Sequence, residues 1–405
     1  MKINKTICMM GLGYIGLPTA SLLANCGYKV HGVDVNPKVV EIINQGKIHI
    51  VEPELDTSVY VAVSSGTLTA NLTPVKADVF IIAVPTPFHH NIFNSTTNTP
   101  IPNIDYIISA TKSIAHFIRP GNLVLLESTS PVGTTDKMKD TLQEEGVDID
   151  KIYIAHSPER VLPGHIMQEL VENDRVVGGV NEASTKAAAE FYRTFVDGEV
   201  LETTARTAEM AKLTENSFRD VNIAFANELS IVCDDLGVEI RELIRLANRH
   251  PRVNILQPGC GVGGHCISVD PWFIVDMANG KAKLIEQARR SNDYKADWVI
   301  EKASNAILDF ELKNGSQPSI ACMGLSFKPD IDDLRESPAL YITETLNKKF
   351  DVVAVEPNIT RYDGLKLASL EEALKCDICI YLVAHKIFKG GVVKSNDLDF
   401  IGVSG

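Results

Sequence analysis

The run TICMMGLGYIGLPTASLLANCGYKVHGVD, residues 6–34, decides the fold. Thr6–Met10 reads as a short apolar strand. Gly11-Leu-Gly13-Tyr-Ile-Gly16 follows, then a helix-like segment through Cys26, a second strand at Lys29–Val33, and Asp34. Strand, glycine turn, helix, strand, acid is the dinucleotide-binding unit. Gly11 permits the tight turn, Gly13 lets backbone N–H groups approach a pyrophosphate, and Gly16 lets the helix pack closely on the strand. The helix N-terminus adds partial positive charge toward the phosphates. Asp34 is suited to accept both ribose hydroxyls. Val35 and Asn36 follow it, with no arginine for a 2′-phosphate, so NAD is expected rather than NADP. By length alone the uncharged stretch Ile7–Ala24 could enter a membrane; the strand–turn–helix pattern inside it argues otherwise.

Outward from this unit, strand and helix keep alternating. Strands are expected at Asp78–Val84, Leu123–Glu127, Ile152–His156, Arg175–Gly178 and Glu199–Leu201, and helices at Tyr106–Phe117, Thr134–Glu145 and Glu182–Phe195. This is the pattern of a mostly parallel, doubly wound sheet. Thr86 and Thr129 follow strand ends, in VPTP and ESTSPVGT, where such folds bind ligands; the alternative is that both are turn residues. His89–Thr99, rich in Asn and Thr, reads as a surface loop. Ala205–Leu236 contains no Gly or Pro and reads as one long helix, with a second over Lys281–Leu312. Between them, the Gly-, Pro- and His-rich segment His250–Pro271 reads as a working loop. From Ser319 a smaller α/β lobe begins. Its strands are Ser319–Met323, Asp351–Val355 and Ile378–Val383, with helices near Pro338–Asn347 and Leu370–Lys375. Its first turn, Gly324-Leu-Ser-Phe-Lys-Pro, lacks the second glycine, so no second NAD is expected there. The fold class is therefore α/β: two Rossmann-like doubly wound lobes joined by long central helices. The implied domains are 1–204, 205–314 and 315–405.

Charge narrows the partners. The 405 residues carry 39 Lys+Arg against 52 Asp+Glu, a net charge of −13. Such a chain is repelled by nucleic acid and by anionic membranes, so neither is expected as a partner. An anionic small ligand remains open where basic residues cluster. The eight cysteines are dispersed, which does not read as a disulfide framework and fits a reducing compartment, the cytoplasm. Cys376-x-x-Cys379 has no second pair to complete a zinc site, so both read as core cysteines and no metal is expected.

Two groups of residues point to chemistry. Cys266 lies in Gly261-Val-Gly263-Gly-His-Cys266, where glycine crowding would let a substrate reach the backbone. A helix starting near Cys266 would favour its thiolate, with Asp270 one turn on; taken alone the residue reads as a buried structural thiol, and its context reverses that reading. Lys212, Asn216 and Arg219, spaced by four and three, share a helix face. That face is either a solvated polar surface, to which Glu209 and Glu215 would belong, or an ammonium and amide aimed at an oxyanion.

These motifs together resemble the UDP-sugar 6-dehydrogenases, of the UDP-glucose/GDP-mannose dehydrogenase type, over essentially the full length. The matching stretches are GLGYIGLP at 11–18, VPTP at 84–87, ESTSPVGT at 127–134, SPER at 157–160, EMAKLTENSFRDVNIAFANELS at 209–230, GVGGHC at 261–266 and FKPDIDDLRESPA at 327–339. NRHPRVNILQPG at 248–259 resembles the branch acting on UDP-N-acetyl-D-mannosamine; UDP-N-acetylglucosamine and UDP-glucose oxidation remain the alternatives. The resemblance implies two successive NAD-dependent oxidations at sugar C6. Lys212 would act as base, Cys266 would hold the aldehyde as a thiohemiacetal and then a thioester, Lys212 and Asn216 would stabilise oxyanions, and Asp270, or less directly Glu159, would handle the hydrolytic water. Arg160, Val161, Lys212, Asn216, Arg219, His250, Arg252, Gly263, Phe327 and Lys328 would bind the UDP-sugar. Gly11, Gly13, Tyr14, Ile15, Gly16, Asp34, Pro85, Thr86, Thr129 and Arg335 would bind NAD. The two long central helices are expected to join the two lobes and to pack against a second subunit, in a homodimer or higher homo-oligomer. Two departures stand out: Cys260, where the family usually has Pro, adds a second thiol near the site, and the 89–99 stretch is unlike the family's. A two-electron hydroxyacid dehydrogenase shares the glycine fingerprint but needs no Cys266. A nucleotide-sensing scaffold would bind without turnover.

Overall fold

β1 (Thr6–Met10) is apolar at nearly every position because both of its faces are covered: Ile7 and Met9 enter one core, Cys8 and Met10 the other. In the computed structural model, residues 5–94 and 98–403 are described, and the chain forms two units, Met1–Thr214 and Glu215–Gly405.

In the first unit β1 leads through the glycine turn to α1 (Gly16–Asn25), β2 (Lys29–Val33), α2 (Pro37–Asn44), α3 (Leu55–Ser64), β3 (Leu68–Asn71) and β4 (Val79–Ile82). A hairpin of β5 (Phe88–Phe93) and β6 (Pro100–Pro102) follows. Then come α4 (Asp105–Ala115), β7 (Leu123–Leu126), α5 (Thr134–Glu144), β8 (Tyr153–His156), α6 (Ile166–Glu172), β9 (Arg175–Gly179), α7 (Glu182–Tyr192) and β10 (Val200–Thr204). The sheet order is β10-β9-β8-β7-β4-β1-β2-β3. From β3 to β8 this is the Rossmann order, with the reversal of strand order between β1 and β4. β9 joins β8 antiparallel, so the sheet is mixed at that end. The expected 89–99 surface loop is corrected in part: Phe88–Phe93 pairs antiparallel with Pro100–Pro102, and residues 95–97 lie outside the described ones.

α8 (Ala205–Leu236) runs without a break across the division between the units. The second unit continues with α9 (Ile240–Ala247), α10 (Asp270–Met277) and α11 (Lys283–Asn314). Its sheet contains β11 (Ile320–Met323), then after α12 (Pro338–Asn347) β12 (Val352–Val355) and β13 (Lys366–Leu367), and after α13 (Leu370–Ala373) β14 (Ile378–Tyr381) and β15 (Leu398–Asp399). All of its pairings are parallel, in the order β13-β12-β11-β14-β15, with the reversal between β11 and β14. Cys379 is buried in this core and Cys376 packs against it. All eight cysteines are thiols. Among the described residues no helix is long and apolar enough to cross a membrane; Ile7–Ala24 is divided between β1, the turn and α1.

The glycine turn is fixed by contact within the protein. Gly11 sits at φ +93°, and its N–H donates to the Val33 carbonyl at 2.8 Å. A Cβ on Gly16 would lie 1.9 Å from the Gly11 carbonyl oxygen. Gly16→Ala should therefore destabilise the first unit by at least about 3 kcal/mol, since backbone cannot yield as a side-chain tip can. Urea unfolding checks this; a midpoint near wild type would mean that α1 can slide off β1 without cost.

Candidate active site

Gly13 behaves unlike its neighbours: a Cβ there would meet nothing within 4 Å. Gly11 and Gly16 are thus small for the protein's own sake, whereas Gly13 is small beside open space. The N-cap of α1, Ile15, makes no side-chain cap bond, and no acid lies in the first turn. An uncapped helix N-terminus beside an open backbone fits a dinucleotide pyrophosphate. Asp34 ends β2 with Oδ2 accepting from the Leu12 N–H at 3.1 Å and Oδ1 from the Asn36 N–H at 2.9 Å. Each oxygen keeps a lone pair for a ribose hydroxyl. Across the reversal point, Thr86 donates to the Thr129 carbonyl at 2.6 Å and Ser128 to the Val84 carbonyl at 2.7 Å, tying the turns after β4 and β7 together. Pro85 and Tyr14 are exposed and Ile15 half-buried. The residues present fit NAD.

Below this surface lies a cluster the sequence reading missed. Arg175, opening β9, is buried and donates to Glu159 Oε2 at 2.6 Å. Glu159 Oε1 accepts from the Arg160 N–H at 2.7 Å. Glu127, at the end of β7, accepts from the Tyr192 hydroxyl at 2.8 Å, and Arg175 lies over the Tyr192 ring. One cation thus serves two buried carboxyls. Burial pushes Glu127 up to about 7; Arg175 opposes this and Glu159 adds to it. Neighbouring His156 is driven by burial down to about 3, and so is neutral. The available signal was an acid closing the apolar strand of ESTSPVGT and a lone charge in RVVGG. Of the two readings of this helix face, the solvated one fails for Glu209. It is buried, accepting from the Gly133 and Thr135 N–H groups at 2.6 and 2.7 Å and so capping α5. Lys212, one turn further along α8, is half-buried, and its side chain makes no hydrogen bond or ion pair among the described residues. Arg160 and Val161 are half-buried.

In the second unit Asn216 and Asp270 are both buried, and the Asn216 amide donates to Asp270 Oδ2 at 2.5 Å. The Asp270 N–H donates to the Cys266 carbonyl at 2.8 Å. Cys266 itself is exposed. α10 starts at Asp270 with Val269 as N-cap, so Cys266 lies in the turn before the helix and not in its first turn. The glycine crowding also has a different cause from the one expected. A Cβ on Gly263 would lie 2.5 Å from the Glu336 carbonyl oxygen, and one on Gly264 2.8 Å from the Phe327 ring. These glycines make room for protein. The Gly264 N–H donates to the Arg335 carbonyl at 3.1 Å, while the Arg335 guanidinium forks onto Asp333. Cys260 is a core residue packed with Trp298 and Ile342, not a second site thiol; burial pushes it up to about 12. Gly259 ahead of it donates to Asn227 at 2.8 Å. Arg219, His250, Arg252 and Lys328 are exposed, and Phe327 is half-buried. The Arg252 N–H reaches His250 Nδ1 at 3.4 Å in the turn after α9.

The first unit holds a Rossmann sheet with an open glycine turn, the arrangement of a dinucleotide-dependent dehydrogenase; the second unit holds an exposed thiol, Cys266, and a buried amide–carboxylate pair, Asn216 and Asp270. The chain belongs to the UDP-glucose/GDP-mannose dehydrogenase family, whose NAD-binding, central and UDP-binding domains match residues 5–196, 206–294 and 321–397. It is an NAD-dependent UDP-sugar dehydrogenase. It is similar to UDP-N-acetyl-D-mannosamine dehydrogenase of Campylobacter jejuni, at 53% identity covering 96% of this chain and 97% of that one. It is also similar to NDP-N-acetyl-D-galactosaminuronic acid dehydrogenase of Ralstonia nicotianae, at 51% identity covering 95% and 92%. The solved structure of UDP-D-ManNAc dehydrogenase from Pyrococcus horikoshii matches with a TM-score of 0.86 at 37% identity, covering 98% and 96%.

Two outcomes are expected here. Gly13→Ala should keep the wild-type unfolding midpoint but weaken NAD binding on the order of tenfold, its methyl standing where the phosphates approach; unchanged affinity in a fluorescence titration would place the pyrophosphate elsewhere. The second concerns Glu127. The folded state keeps its proton up to about 7 while an ordinary carboxyl releases it near 4.5. Wild-type stability should therefore fall across that window, by up to about 1.4 kcal/mol per pH unit, and level off above it. Glu127→Gln should lack that decline. Identical urea midpoints against pH for both proteins would put the proton on another group.

Proposed function

We propose that the chain oxidises UDP-N-acetyl-D-mannosamine at C6 to UDP-N-acetyl-D-mannosaminuronate, a four-electron reaction passing through a thiohemiacetal and a thioester on Cys266. The observation that carries this reading is the seating of Cys266: an exposed thiol whose carbonyl is held by the Asp270 N–H, with Asp270 in turn on the Asn216 amide. A two-electron dehydrogenase has no use for a nucleophile there. The relatives' names support an N-acetylated sugar nucleotide.

NAD, when bound, accepts a hydride in each of the two oxidations. Lys212 takes the C6 hydroxyl proton. The Cys266 thiolate adds to the aldehyde carbon, and the oxyanion is stabilised by the Lys212 ammonium and by the Asn216 N–H that is not bound to Asp270. Once the second hydride has left, the carbon is a thioester. Asp270 orients the water that splits it, releasing the acid and the thiol. Glu159 stands second to Asp270 for this role, because Arg175 and the Arg160 N–H already occupy one lone pair on each of its oxygens. Arg160, Arg219, His250, Arg252 and Lys328 are assigned to the diphosphate and sugar, with Val161, Gly263 and Phe327 as walls. Gly11, Gly13, Tyr14, Ile15, Gly16, Asp34, Pro85, Thr86, Thr129 and Arg335 are assigned to NAD. The domains follow as 1–204, 205–314 and 315–405. α8 exposes Phe218 (69%), Phe225 (56%), Val232 (46%) and Leu236 (71%), spaced seven, seven and four apart. Such a stripe supports a homodimer formed through this helix.

The test is stoichiometric. Wild-type protein incubated with NAD and UDP-N-acetylmannosamine should give two NADH per sugar consumed and faster turnover than the gluco and galacto epimers. Cys266→Ser should release little acid and at most about one NADH per sugar, because a hydroxyl ionises too weakly to replace the thiolate. Acid formed at near wild-type rate by that variant would sink the covalent route, and a faster epimer would reassign the sugar.

A further inference from the structure

In the second unit the loop after β11 and the loop after β14 flank the reversal of strand order, the place where open α/β sheets bind ligands. They are joined by His385. Its ring is buried, and Nδ1 accepts from the Asp330 N–H at 2.9 Å. That leaves the ring proton on Nε2, 3.1 Å from Glu356 Oε2. Glu356, following β12, accepts with the same oxygen from the Leu325 and Ser326 N–H groups at 2.8 and 3.0 Å. Burial alone would raise this carboxyl; His385 and the two amides outweigh it and hold it at about 2. Ser326 donates to the Lys328 carbonyl at 2.8 Å, and Asp330 accepts from the Lys386 N–H at 3.0 Å. Phe388 meets the imidazole edge-on. Residues 325–330 have no helix or strand of their own, and Asp330 sits at φ +62°. One imidazole therefore holds the end of this loop directly and its start through Glu356. From between those anchors Phe327 fills the space beside Gly263 and Gly264, just ahead of Cys266.

We propose that His385 is a positioning residue for the UDP-sugar: it sets the 325–330 loop so that Lys328 is presented to the diphosphate and Phe327 braces the turn that carries Cys266. This rests on the assignment of Lys328 and Phe327 to the substrate, and so the test uses UDP, common to every candidate sugar nucleotide, as well as turnover. His385→Asn keeps an acceptor at the Nδ1 position; His385→Phe keeps the ring shape and removes both polar atoms.

The Phe variant should bind UDP on the order of tenfold more weakly by calorimetry, with a matching rise in KM for the UDP-sugar and KM for NAD within about twofold of wild type. The Asn variant should recover most of the loss. Unchanged UDP binding in His385→Phe, a parallel rise of both KM values, or no recovery in His385→Asn would each overturn the proposal. If His385→Phe melts without a cooperative transition, Ser326→Ala takes its place. Losing the hydroxyl tie to the Lys328 carbonyl and the 3.4 Å approach to His385 Nε2, it should shift the same two constants, and wild-type values there would be equally fatal. A wild-type protein that binds UDP but leaves UDP-N-acetylmannosamine unoxidised would overturn the sugar assignment alone, and His385 would then be judged on the UDP constants.

Discussion

Arg289 of α11 is fully buried with its Nη1 2.6 Å from Asp220 of α8. Removing either partner would strand a buried charge, which costs about 3–5 kcal/mol. The pair is weak evidence for net stability, since desolvation offsets much of the attraction, but it admits only one rotation of α8 against α11. With Asp220 set, the rest of that helix face is set too. Asn227, two turns on, donates to Asn292 at 2.9 Å and accepts from the Gly259 N–H at 2.8 Å. Asn292 returns to Asp220 at 2.8 Å. Asn216, one turn back, reaches Asp270. The segment 259–270 therefore hangs from α8 at both ends, and the thiol lies between the attachments. Side-chain amides do this work because a segment so rich in glycine has little side-chain packing with which to hold itself.

The first unit solves a different electrostatic problem. Two carboxyls and one guanidinium are buried together, leaving a surplus negative charge unless one carboxyl keeps its proton. The short bond to Arg175 goes to Glu159, and burial pushes Glu127 up to about 7.

Local pattern carried far. The glycine turn, the alternation of strands and helices and the ends of α8 were legible because each depends on neighbours in sequence: Gly237, at φ +66°, stops α8 where the periodicity ends. Residues 37–71 were not legible. LDTSVYVAVS carries three valines and a tyrosine, which favour strands, yet it forms α3 because Leu55, Val59 and Ala62 are buried in the first core. At the site, residue types were legible and their partners were not. Glu209 finds its donors 74 and 76 positions away and His385 finds Asp330 55 away, and no spacing rule encodes such distances. Glycine was the most ambiguous signal of all. Gly13 faces open space while Gly263 faces the Glu336 carbonyl and Phe327, and in sequence both are simply glycines in a tight cluster.

The two sheets place an acid at the same topological point, after the second strand, and its length separates their uses. Asp34 reaches one turn amide, that of Leu12, and leaves the backbone at Gly13 beside open space. Glu356, one methylene longer, takes the amides of both Leu325 and Ser326 onto one oxygen. Those N–H groups are the ones a pyrophosphate would claim in a dinucleotide site. Spent on Glu356, and with His385 on the same oxygen, they turn an anion cradle into a rigid mount. The missing second glycine of the 324–329 turn is then a consequence as much as a cause: with these N–H groups held by Glu356, that position is free to carry a side chain, Ser326, whose hydroxyl donates to the Lys328 carbonyl at 2.8 Å.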